Sequence, residues 1–113
     1  MKIRAEQKGR VILLELPEDI TFQNCNSLKQ QIDKALQVFP DKWMVLDFYR
    51  VSFINSSGIG ILVDTLKKLR QRGGALFIIR CGGPVKRLFE KTHLHEDIHL
   101  LKDEEAVEAW IGD

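Results

Sequence analysis

The chain is poor in the features that usually advertise a chemistry. Its two cysteines, Cys25 and Cys81, stand far apart and lack the paired C-x-x-C spacing of zinc or dithiol sites. They are expected to be reduced packing residues, because a free thiol in a reducing compartment behaves as a small hydrophobe. Only three prolines and no low-complexity run argue against disorder or a fibrous repeat. A net charge of +1 gives no overall attraction to nucleic acid or to a membrane surface. No stretch approaches eighteen uninterrupted apolar residues, and Met1 to Lys8 carries charges throughout with no apolar segment of signal-peptide length. A cytosolic protein is therefore expected. Neither G-x-x-x-x-G-K-[ST] nor G-x-G-x-x-G is present, and no spacing suggests a serine, histidine and acid trio. The expectation is a protein that is not an enzyme and that carries no cofactor.

His93-x-His95-x-x-x-His99, with Glu96 and Asp97 between, has ligand types that suit zinc. The spacing matches no catalytic pattern, and His99 would alternate faces with Ile98 and Leu100. Solvated loop histidines are the favoured reading, and no metal site is expected.

What is present is an ordinary globular composition, 44% apolar and 29% charged over 113 residues, enough for one core and one domain spanning residues 1–113. Lys2 to Gln7 reads as a charged edge strand, Lys8-Gly9 as a turn, and Val11 to Leu16 as a buried strand. After the loop-like Pro17-Glu18-Asp19-Ile20-Thr21, the stripe Cys25, Leu28, Ile32, Ala35, Leu36 and Phe39 predicts an amphipathic helix, stopped at Pro40-Asp41. Trp43 to Phe48 reads as a strand. Ile59, Leu62, Val63, Leu66 and Leu69 then recur at helical spacing until Gly73-Gly74, where glycine supplies a left-handed stop. Ala75 to Ile79 is a third buried strand. Pro84 opens a helix with Val85, Leu88 and Phe89 inward, Ile98 to Leu101 is a short strand, and Asp103 caps a last helix through Trp110. The order β, β, α, β, α, β, α, β, α predicts an α/β fold: a mixed, mainly parallel sheet of four to five strands with about four helices.

The organising stretch is Asp47 to Gly60, where a buried strand hands over to a helix across Asn55-Ser56-Ser57-Gly58. Asparagine and serine side chains accept hydrogen bonds from the unpaired N–H groups of a first helical turn, and glycine lets another surface come close. Two hydroxyls thus sit at the mouth of a helix, with Ser56 expected to cap it. Ile61 lies about 200° around the helix from Ile59 at 3.6 residues per turn. It is therefore expected to be an exposed apolar residue, flanked by Gly60, Asp64 and Thr65, on a contact surface beside Ser57.

Three stretches resemble the STAS domain family, and within it the bacterial anti-sigma factor antagonists. They are Val45-Leu46-Asp47 running into Val51 to Gly60; Leu69-Arg70 through Gly73-Gly74; and Val85 to Phe89 followed by Thr92-His93-Leu94. The resemblance implies a single STAS domain. It also implies that Ser57, the second serine of the turn, is phosphorylated by an anti-sigma factor serine kinase. Binding of the unmodified antagonist to that kinase frees a sigma factor, and a PP2C-type phosphatase resets the cycle. The implied partner-binding residues are Asn55, Ser56, Gly58, Ile59, Gly60 and Ile61, with Asp19 and Thr21 from the loop after the second strand. Two positions depart from the family pattern: Asn55 stands where aspartate often precedes the two serines, and Thr21 where an aspartate commonly faces the acceptor, with Asp19 two residues earlier.

Two other readings stay open: a STAS scaffold or transport-complex subunit whose Ser57 is never modified, and a small nucleotide-binding domain using the turn as a phosphate cradle. Charge is uneven as well. Lys67, Lys68, Arg70, Arg72, Arg80, Lys86, Arg87 and Lys91 face only Glu90 within residues 67–91. Solvated helix faces explain this, the functional alternative being a basic patch for an acidic partner. Nucleic acid is disfavoured because aromatic residues that would stack on bases are not interleaved with these cations.

Overall fold

In the computed structural model, which describes residues 1–112, an open five-stranded sheet runs in the order β1-β2-β3-β4-β5. The strands are β1 (Arg4–Lys8), β2 (Val11–Glu15), β3 (Trp43–Asp47), β4 (Ala75–Ile79) and β5 (His99–Leu101). β1 pairs with β2 antiparallel across the turn at Gly9-Arg10, and every later pair is parallel. The helices are α1 (Cys25–Val38), α2 (Ser56–Gln71), α3 (Gly83–Lys91) and α4 (Glu104–Ile111), with a 3₁₀ turn at Leu94–Glu96. The predicted element order and the α/β class hold. Asp113, the last residue of the expected domain, lies outside the described residues.

Each parallel connection advances one strand in the same direction, so right-handed crossovers carry α1, α2 and α3 to one face of the sheet. Period-two alternation then divides the strands cleanly. Ile12, Leu14, Met44, Leu46, Leu76 and Ile78 pack with those three helices in the larger core. Val11, Leu13, Val45, Phe77 and Ile79 face the other way, where Val107 of α4 packs on them. Because the strand order never reverses, there is no switch point between diverging crossovers, the usual ligand crevice of open α/β sheets.

Several boundaries differ from expectation, each for a local reason. The first strand begins at Arg4, not Lys2, because α1 holds the residues before it. Gln31 accepts from the Ile3 N–H through Oε1 at 2.8 Å, and donates from Nε2 to the Met1 carbonyl at 2.7 Å. Leu16 and Phe48 fall just outside their strands, although their N–H groups still reach the carbonyls of Asp47 and Ile79. α2 stops as predicted. Gly73 adopts φ +83°, its N–H reaches the Arg70 carbonyl, and the Gly74 N–H reaches that of Leu69. This is the paired 5→2 and 6→1 closure of a left-handed helix stop. At Gly74 a side chain would also collide with the Lys42 backbone.

Candidate functional site

The helices on the larger core all begin at the carboxyl end of the sheet, and α2 begins there most deliberately. After Asp47 the chain sinks Phe48, Val51 and Ile54 into the core and leaves the residues between them outside. Asn55 then caps α2. Its backbone is extended, with φ −79° and ψ 173°, and its Oδ1 accepts from the Gly58 N–H at 2.8 Å. The cap is therefore Asn55, and Ser56 is the first residue inside the helix, contrary to the expectation that Ser56 caps. The Asn55 amide oxygen, at that backbone geometry, takes the third N–H of the helix, the usual partner of a cap, so that Ser56 stands one residue inside. Ser56 and Ser57 are both exposed, as the first two residues of the helix.

A second loop lies against this turn. Ile20 forms a parallel bridge with Ile54, its N–H donating to the Phe53 carbonyl at 2.9 Å while the Ile20 carbonyl accepts from the Asn55 N–H at 3.0 Å. Asp19 and Thr21 are thereby carried beside the serine turn. The Asp19 Oδ1 accepts from the N–H groups of Ser52 at 2.6 Å and Phe53 at 3.3 Å. Its carboxylate thus braces the approach to the turn. Thr21 donates its N–H to Asn24 Oδ1 at 2.8 Å and accepts from Gln23 N–H through Oγ1 at 3.3 Å.

Gly58 is buried where the two loops meet α2. A β-carbon there would stand 2.7 Å from both Ile20 Cγ2 and Ile54 Cγ1. It was expected among the partner-binding residues, but its missing side chain is required by internal packing. Gly60 is exposed, and a β-carbon added to it would meet nothing within 4 Å. Ile59 and Ile61 are both partly buried against the larger core.

Ile61 therefore does not stand opposite the buried stripe. At about 100° per residue, the buried Gly58, Leu62, Thr65, Leu66 and Leu69 centre on a line from which Ile59 and Ile61 each lie about 80°, on opposite sides. Val63, expected inside, is only partly buried. Thr65, expected beside Ile61 on the contact surface, is 3% exposed; its hydroxyl donates to the Ile61 carbonyl at 2.8 Å, which lets a polar side chain enter the core.

Two residues that the helical periodicity passes over stand out here. Phe22 is 87% exposed and Phe53 is 53% exposed, one on each loop. The signal that marks them is an absence of charge. In a chain with 29% charged residues, residues 20–28 and 51–63 contain no Asp, Glu, Lys or Arg.

Several other polar features have partners within the chain. A cleft of about 350 Å³ at the same end is lined by Glu15, Leu16, Asp47, Tyr49, Arg50 and Arg80. Arg80 there faces Asp47 and Glu104, each at 3.5 Å. Four of the eight cations of the basic run, Arg80 among them, have partners within the fold. Lys68 pairs with Asp33 and Arg70 with Asp97, while the Arg72 guanidinium donates to the carbonyls of Leu36, Phe39 and Asp41 at the end of α1. His93 and His95 are exposed, whereas His99 is not a solvated loop residue. It lies in β5, partly buried, with its ring 4.6 Å from Trp110 and 5.4 Å from Phe77. Burial first, then the Arg70 cation, hold its pKa below the usual value, with Asp97 opposing. Among the described residues no three His, Cys, Asp or Glu side chains are placed to hold a metal. Both thiols are free, Cys25 buried and Cys81 partly so, and burial pushes the Cys81 thiol up.

Comparison with known proteins bears on the family and on the fold. The profile of the STAS domain matches residues 2–107. The Anti-sigma F factor antagonist of Paenibacillus polymyxa is 24% identical over 104 residues, covering 92% of this chain and 89% of that one. The Anti-sigma-B factor antagonist of Listeria monocytogenes is 33% identical over 73 residues, covering 62% and 64%. Among solved structures, the unphosphorylated form of the anti-sigma factor antagonist SpoIIAA superimposes with a TM-score of 0.81 at 19% identity, over 99% of this chain and 98% of that one.

Proposed function

The chain belongs to the STAS domain family, and on that premise we propose that it is an anti-sigma factor antagonist switched by phosphorylation of Ser57. One observation carries the reading: Ser57 is exposed as the second residue of α2, in a turn fixed by the Asn55 cap and by the Ile20–Ile54 bridge. The unmodified protein binds an anti-sigma factor that is itself a serine kinase, and so releases a sigma factor. Phosphorylated, it lets go, and a PP2C-type phosphatase restores it.

Physical chemistry makes this place suitable. A phosphoserine adds about −1.5 to −2 charges near neutral pH. At a helix N-terminus that charge is favoured by about 0.3 to 1 kcal/mol, because unpaired N–H groups and the helix dipole point towards it. Modification therefore leaves the fold intact and acts at the contact, by placing a hydrated dianion on a turn, residues 51–63, that carries no charge of its own. No catalytic residue is assigned to this chain. No helix among the described residues is long and apolar enough to cross a membrane, and we place the switch in the cytoplasm.

A nucleotide-binding reading finds little support, since the sheet has no switch point and Arg80 in the cleft is already faced by two carboxylates. The test is incubation with the anti-sigma serine kinases of the same organism and ATP, followed by intact mass and phosphopeptide mapping. One phosphate that disappears in Ser57→Ala is the expected result. Absence of modification by every such kinase would leave the scaffold reading in its place.

A further inference from the structure

The surface around the serine turn is built from two charge-free segments, residues 20–28 and 51–63, brought together by the Ile20–Ile54 bridge. Each segment presents one aromatic to solvent, Phe22 at 87% and Phe53 at 53%. Exposing phenyl rings is unfavourable in water, at about 25 cal/mol per Å² of apolar surface. The loops nonetheless hold both in place with internal hydrogen bonds. The Phe53 N–H is tied to Asp19 Oδ1, and the carbonyl of Phe53 accepts from Ile20. Phe22 sits inside the turn closed by Thr21 and Asn24, with its own carbonyl accepting from Cys25 Sγ at 3.6 Å.

Resting on the function proposed above, we propose that Phe22 and Phe53 are the two apolar anchors by which the kinase is held while Ser57 enters its active site. The occupant is a folded protein surface with uncharged, apolar cups. Interface centres are depleted in charge and enriched in aromatics, and a few such anchors carry most of the binding energy. Braced loops lose little freedom on docking, which leaves more of the contact energy for affinity. Neither an anionic membrane nor nucleic acid fits, because both are drawn by lysine and arginine and these segments have none. The same absence of charge makes the phosphate decisive: a dianion on Ser57 has no lysine or arginine within these two segments to neutralise it.

The test uses the full chain with Ser57→Ala, so that modification does not interfere, and the purified serine kinase that phosphorylates the natural protein, saturated with Mg-ADP. Affinity is read by calorimetry for Phe22→Ala, Phe53→Ala, the double variant, and Val38→Ala as a control at the opposite end of α1, where Val38 is 60% exposed. Each anchor substitution is expected to weaken binding about tenfold or more, with Val38→Ala unchanged and thermal unfolding of all variants superimposable. Full affinity in the double variant, with Ser57 of the natural chain still phosphorylated, overturns the anchors and leaves the proposed function standing. If no kinase binds or modifies the natural chain, both fall. Sedimentation showing a dimer that dissociates on Phe22→Ala and Phe53→Ala makes the occupant a second copy and overturns the inference as well.

Discussion

Gly58 and Ile20 are pressed together so closely that a β-carbon on Gly58 would stand 2.7 Å from Ile20 Cγ2. This close approach brings the start of α2 against the loop that precedes α1. Gly58→Ala is therefore expected to lower stability by about 1 to 3 kcal/mol, because two β-branched side chains must move. The up to about 1 kcal/mol that alanine gains over glycine inside a helix offsets only part of this. Urea unfolding measures the balance, and a stabilised variant would contradict the packing.

Gly60, two residues on, gives the opposite expectation. With open space around its missing side chain, Gly60→Ala should raise stability by up to about 1 kcal/mol through helix propensity alone. Its melting temperature should rise, so that a loss of partner affinity in this variant reports on docking and not on folding.

Asp19 bonds the backbone of Ser52 and Phe53 across 33 and 34 residues of sequence. Asp19→Ala should cost about 1 kcal/mol, the usual net value of such bonds. Hydrogen exchange at the Ser52 and Phe53 amides should speed up in this variant. Unchanged exchange there would show that the carboxylate does not brace the loop.

Ile61 packs against the larger core from the flank of α2. Ile61→Glu should therefore be destabilising by about 1 kcal/mol, a fraction of the value for a fully buried isoleucine. Chemical denaturation of this variant must accompany any binding assay, since weaker docking alone would not distinguish a contact residue from a softened helix.

His99 sets a pH dependence. Its pKa is lowered in the folded state by burial and by Arg70, so below the unfolded value of about 6.5 the unfolded chain binds more protons. Stability is thus present above about pH 6.5 and is lost as pH falls from there through the folded pKa. His99→Gln should remove that component of the slope in melting temperature between about pH 7.5 and 5.5, the range around the unfolded value. A slope identical to the natural protein's would assign the effect to other groups.

Much of this was legible in the order of residues because it depends on neighbours in the chain. Short, bounded apolar runs at Val11–Glu15 and Ala75–Ile79 mark strands, and apolar spacing from Cys25 to Leu36 marks α1. Asn55-Ser56-Ser57-Gly58 marks a helix entry and Gly73-Gly74 its exit. The centre of the buried arc of α2 was not legible. Ile59 and Val63 have the hydrophobicity of core residues, and only the position of the sheet decides that Thr65 goes in while they lie at the flanks. The cations of residues 67–91 could not be apportioned either, because Asp33, Asp47, Asp97, Glu104 and the carbonyls closing α1 arrive from elsewhere.

By itself, then, the sequence determined the succession of strands and helices and put Ser57 at a helix mouth, since hydrogen-bond caps and apolar patterns act over a few residues. The tertiary structure alone decided that the loop carrying Phe22 lies beside the one carrying Phe53, and that Gly58 is held between Ile20 and Ile54. That decision rests on parallel pairing of Ile20 with Ile54, far apart in the chain, a contact that no local pattern encodes.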